Sequence, residues 1–273
     1  VNPERYVLAA RLVSYLGERY RALEILSEGL DAFPGDLRLL HQRGTMRLIT
    51  RAIPEARADL EAAVAHEGWD APDTYREQVV GDVLALVLDR QDAEPTHAAH
   101  GSVRAGAWLH LGLTHYLLGD LDAAAQAFAR SRELAHEPYQ ELAAVDWGYL
   151  SLYRAGRPEE AQSLVDDLVW DDYRLGGAAS TTGRSLERCY VQRLQLYRGE
   201  ARPEELLRAT STEGIDVATL GYGVGVWYLC HGYDAAAART FERILEVGDP
   251  TTMGYLAAES ERARPTEPSP GPA

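Results

Sequence analysis

The chain has 273 residues, 46% apolar and 25% charged, with a formal net charge of -15. That balance suits a folded globular chain and excludes nucleic acid and anionic membrane surfaces as expected partners, because both are bound through basic patches. All 27 basic residues are Arg, which excludes lysine Schiff bases, a Walker A lysine and a Ser–Lys dyad. The absence of Lys, the single Asn and the three Phe point to a GC-rich bacterial genome. No apolar run reaches the ~18 residues of a membrane span. Val1 in place of Met reads as a trimmed N-terminus, with a cytoplasmic location favoured and export left open. Cys189 and Cys230 stand in apolar helical patterns without metal-type spacing and read as two buried free thiols.

Helical periodicity runs along the chain, and no strand pattern emerges. Residues 4–34 read as a helical hairpin turning at Gly17, with Ala10 before the turn and Ala22 and Leu26 after it. Residues 38–66 repeat it: Gly44, Ala56, Leu60 and Ala63 stand 34 places after Ala10, Ala22, Leu26 and Gly29, with Arg51 in the turn. An offset held at four positions marks an internal repeat. Small residues at fixed points let two antiparallel helices cross closely, and larger residues fill the groove beside the crossing. Residues 68–104 break the register as an insert, with an extra helix from about 74 to 90 and a loop up to Gly101. His97, His100 and Glu94 lie near Pro95 and Gly101, which favour a loop, so no metal site is expected.

The hairpin returns over 105–136, with Gly112, Gly119, Ala124 and Phe128 in step. It returns again over 142–170, where Gly156, Ala161 and Val165 keep the register but Tyr149 takes a small-residue position. Asp166, Asp167, Asp171 and Asp172 read as a solvated helix end. A long connection over 170–184 leads to a degenerate copy, 186–211, with Gly199 in the turn and Leu206 in a small position. The last copy, 219–248, carries Gly225, Gly232, Ala237 and Phe241. Its Gly221, Gly223 and Gly225 lack the G-x-G-x-x-G spacing and a preceding strand, so no nucleotide loop is expected. Residues 251–262 read as a capping helix, and 263–273, with four prolines, as a disordered tail.

Trp108, Leu111, Gly112, Gly119, Ala124 and Phe128 match the W-x2-LG…A-x3-F pattern, so this segment resembles a tetratricopeptide repeat. HLGLTHYLLGD (110–120) and GYGVGVWYL (221–229) are also similar to stretches in a set of bacterial tetratricopeptide proteins. The resemblance implies an all-α solenoid of about six helix-turn-helix repeats in a single domain over 1–262, with one inserted helix and a C-terminal cap. It implies binding and supplies no reaction. In such solenoids the first helix of each pair lines the concave side, which maps here onto Arg11, Ser14 and Tyr15, then Arg38, His41 and Thr45. Leu109, Leu113 and Tyr116 follow, then Asp146, Tyr153 and Arg154, then Tyr222, Val226 and Leu229, with Arg193 joining from the degenerate copy.

Arg grips carboxylate or phosphate through two parallel hydrogen bonds, and Tyr offers flat area with a polar tip. The expected function is therefore a cofactor-free scaffold for a protein or peptide, acidic or otherwise carboxylate-bearing. The competing expectation is that these arginines pair with acids of the chain itself. The alternative function is a pocket for an anionic small molecule with the 70–100 insert as lid, or an isomerase- or cyclase-type enzyme built on it. A peptide-carboxylate clamp of Lys and Asn is not expected, since Lys is absent and Asn2 stands alone.

Overall fold

The computed structural model describes residues 2–65, 74–76, 100–170, 181–210 and 213–263. Their regular structure is helical apart from one short strand pair. Six pairs follow in chain order: α1 (Glu4–Tyr15) with α2 (Arg19–Ala32), α3 (Leu37–Ile49) with α4 (Ile53–Val64), and α5 (Val103–Leu118) with α6 (Leu121–Glu133). Then come α7 (Pro138–Arg154) with α8 (Pro158–Asp166), α9 (Thr181–Tyr197) with α10 (Pro203–Ala209), and α11 (Gly214–Cys230) with α12 (Asp234–Val247). A last helix, α13 (Met253–Ala263), ends the described chain.

The turns between paired helices follow the sequence rule. Gly17, Gly119, Gly156, Gly199 and Gly232 all have φ between 75 and 87°. Arg51 adopts φ 66° in the position those glycines hold, a conformation that costs a side-chain-bearing residue about 1–2 kcal/mol. Asp36, Ser102 and Asp120 cap α3, α5 and α6 by accepting from backbone N–H groups of the first turn.

The crossings are close for the expected reason. A Cβ at Gly44 would stand 2.7 Å from Leu60 Cγ, one at Gly112 2.6 Å from Phe128 Cε1, and one at Gly225 2.9 Å from Phe241 Cδ1. In the pair α7/α8 the small residue is Gly148, whose Cβ would meet Leu164 Cδ1 at 3.3 Å. Tyr149 is thereby turned away from α8 and stacks on Tyr197 of α9, with ring centroids 4.1 Å apart and planes within 2°.

Each pair packs on the next, and the first helices of successive pairs also touch: α1 with α3, α3 with α5, α5 with α7, α7 with α9, and α9 with α11. The core therefore runs along the chain as linked clusters. Trp147, Tyr116, Tyr222 and Phe128 are fully buried at the centre of the largest. α13 packs on α11, α12 and α5, and its Leu256 enters a cluster with Leu48, Ala56, Leu60 and Leu111. The sequence reading makes α13 a cap; the structure also makes it a bridge from the last pair back to the second and third.

Thr74–Arg76 (β1) pairs antiparallel with His100–Ser102 (β2), with Tyr75 opposite Gly101. This corrects two expectations: the extra helix does not begin at 74, and Gly101 lies in a strand rather than ending a loop. Three-residue strands carry too little alternation to be read from sequence. The remainder of the expected insert helix, with His97 and Glu94, lies outside the described residues, as do Asp171, Asp172 and the 264–273 tail.

Candidate functional site

Glu261 on α13 sits where three expected wall residues converge. Arg154 grips it bidentately: Nη1 forms a close ion pair with Oε1, and Nη2 donates to Oε2 at 3.2 Å. Arg154 Nη1 also donates to Tyr116 Oη at 2.8 Å, and the guanidinium lies 5.3 Å from the Tyr116 ring centroid. The Tyr222 hydroxyl is 2.8 Å from Tyr116 Oη and 3.1 Å from Glu261 Oε1, so its one proton serves either acceptor. α7 and α11 thus each supply a donor to a single carboxylate, and Tyr116 on α5 accepts from both donors. Burial raises both tyrosines above their ordinary range, and keeps both hydroxyls neutral beside the Arg154–Glu261 pair.

The rest of α13 is seated in the same manner. Arg51 donates to Glu259 Oε2 at 3.0 Å and to the Pro250 carbonyl at 3.1 Å, which accounts for an arginine in that turn. Ser260 Oγ donates to the Leu117 carbonyl at 3.3 Å. Gly254 brings its backbone against Ala218, and Ala257 and Ala258 are buried beside it.

Behind this wall lies a second charged pair. Asp146 and Arg193 are fully buried, with Nη2 2.6 Å from Oδ2. The contact is close but poorly directed, and leaves both Asp146 oxygens and Nη2 without a well-aligned hydrogen bond. At that separation the attraction between the two groups persists at any angle. Arg193 also donates to the Thr219 carbonyl at 3.0 Å and to Tyr197 Oη at 3.2 Å, and lies 5.3 Å from the Trp147 ring centroid. Burial pushes the Asp146 carboxyl up to about 7, against the pull of Arg193 and Tyr197.

The expected wall residues of the first two pairs are separate from these groups. Arg11 Nε meets Gln42 at 3.3 Å, Tyr15 is exposed, and Arg38 pairs with Asp36 at 3.0 Å and Glu4 at 3.1 Å. His41 is buried, with Nε2 2.9 Å from His110 Nδ1, which also lies 2.9 Å from the Gly106 carbonyl. Burial lowers both imidazoles, His110 to about 4, and His41 is lowered also by His110 and Arg11 facing it.

Tyr153, the remaining expected residue, borders a cleft with Tyr149, Tyr197, Trp227, Cys230 and His231. His231 stacks on Trp227 at 4.0 Å and faces Tyr153 at 6.0 Å. The space between them is about 10 Å³. A larger groove of about 220 Å³ lies elsewhere, between α6 and α8, floored by Ala144, Val145 and Gly148. Burial pushes the Cys230 thiol up to about 11, which leaves it protonated and a poor nucleophile.

Of the residues expected on the wall, the structure brings Tyr116, Arg154 and Tyr222 into one hydrogen-bonded group; Glu261, Glu259, Arg51 and Trp147 were not among those expected. Two signals were present: an arginine where a turn glycine belongs, and two carboxylates on a cap of small residues. Among the described residues no three metal-binding side chains cluster, and no helix is long and apolar enough to cross a membrane. No protein-family model matches the chain, and no curated protein matches it.

Proposed function

We propose that this chain is a tetratricopeptide-like solenoid that binds a protein partner through an acidic helical segment, on the wall formed by α5, α7 and α11. The repeat reading is supported by the recurring Gly-against-Leu or Gly-against-Phe crossings and by the positive-φ turns. The observation that carries the binding reading is the seat of Glu261. Arg154 and Tyr222, from two helices, hold one carboxylate presented by a third, and the Tyr116 hydroxyl on a fourth accepts from both of them. A bidentate Arg–carboxylate pair flanked by neutral hydroxyls recognises direction as well as charge.

The small-molecule alternative has less support, because ligand pockets enclose roughly 300 Å³ or more. The two clefts described above measure about 220 and 10 Å³.

The test is fluorescence anisotropy on the full chain with labelled helical peptides carrying Glu, Gln or Arg at two positions on one face. Preference for the Glu peptide, lost in Arg154→Gln, supports the proposal. Equal affinity for all three peptides sinks it.

A further inference from the structure

α13 is held in a way that sets it apart from the other helices. Its fully buried residues are Gly254, Leu256, Ala257 and Ala258, three of them small, with Met253 and Tyr255 packed beside them only partly buried. Small side chains remove little apolar area from water, so this face contributes less than a Leu- or Phe-bearing face of equal length. Two carboxylates on two arginines add to it: Glu259 on Arg51 and Glu261 on Arg154. An eleven-residue helix is marginal by itself and depends on those contacts. It follows Gly248–Thr252, a connection tied by Asp249 accepting from Thr251 and donating to the Gly214 carbonyl.

We infer that α13 is a built-in competitor: it occupies the wall as the partner's helix does, and a partner binds by displacing it. The inference rests on the function proposed above and adds its regulation. The fitting partner is an amphipathic helix with an apolar residue three places before one glutamate and five before a second, as Leu256, Glu259 and Glu261 stand here. Because α13 is tethered, its effective concentration at the wall is on the order of millimolar, so a free peptide competes poorly until the internal carboxylates are neutralised.

The experiment compares three full-length chains for affinity toward a labelled peptide of residues 249–263. In Glu259→Gln/Glu261→Gln the internal helix loses its charged contacts while Arg51 and Arg154 remain, and affinity rises tenfold or more over the unaltered chain. In Arg51→Gln/Arg154→Gln the gain is absent. Equal affinity for the unaltered chain and the Glu→Gln chain overturns the competitor role while leaving acidic-helix binding in place. Binding by none overturns both. Native-state hydrogen exchange on the unaltered chain gives a second readout that needs no variant. α13 amides exchanging well before those of α11 support displacement, and exchange in step with α11 overturns it.

Discussion

Gly223 on α11 lies directly against Arg193 on α9: a methyl group there would overlap Nε and stand 2.7 Å from both Arg193 Cδ and Tyr197 Oη. The glycine is what admits a buried guanidinium between two helices. Gly223→Ala should therefore cost about 2–4 kcal/mol, because neither α9 nor the buried ion pair can yield cheaply. Gly17→Ala, whose added methyl meets nothing within 4 Å, should cost only the positive-φ strain of about 1–2 kcal/mol. Urea unfolding of both variants gives the comparison, and equal losses would contradict this reading of Gly223.

Arg154 and Glu261 should be strongly coupled. Arg154→Leu leaves a buried carboxylate with the Tyr222 hydroxyl and should cost about 3–5 kcal/mol, whereas Arg154→Leu/Glu261→Leu removes both charges and should cost much less than the sum of the two single changes. A double-mutant cycle from chemical denaturation measures this. Additive losses would show that the pair contributes no mutual stabilisation.

The pH dependence of stability has two opposed parts. His110 is lowered from 6.5 to about 4, so the unfolded chain takes up its proton first and stability falls as pH drops through that window. From pH 7 to 5 this amounts to about 2 kcal/mol, and His41 adds in the same direction. Asp146 is raised from 3.8 to about 7, so the folded chain keeps its proton longer and stability rises over the same drop. The unaltered chain should therefore show a shallow profile. His110→Gln should gain stability on acidification relative to it, and Asp146→Asn should lose it. Urea midpoints at pH 5 and 7 decide, and parallel profiles for all three chains would refute the assignment.

The helical hairpins were legible because their rule is local. A turn glycine, a small residue before it and a large one after it are fixed by backbone conformation and by one crossing, and a single sequence carries both. Tyr149 broke that rule in the sequence and still occupies a helix, since Gly148 one place earlier performs the crossing. The grouping of Tyr116, Arg154 and Tyr222 was legible for the same reason: helical phase puts them on one wall. Their partner was not. Glu261 reaches that wall because α13 turns back across α5, and where a terminal helix lies depends on the sum of all preceding crossings. Gly223 likewise made sense only with Arg193 beside it, as no pattern within α11 requires a third glycine.

The Arg51–Glu259 contact joins positions 208 residues apart. A row of hairpins that touch only their neighbours can shed one end while the rest stands. Here the second hairpin is fastened to the last helix, so loss of either end weakens the other. With α13 seated the two ends support each other, and with α13 displaced the row is left with contacts between neighbours alone.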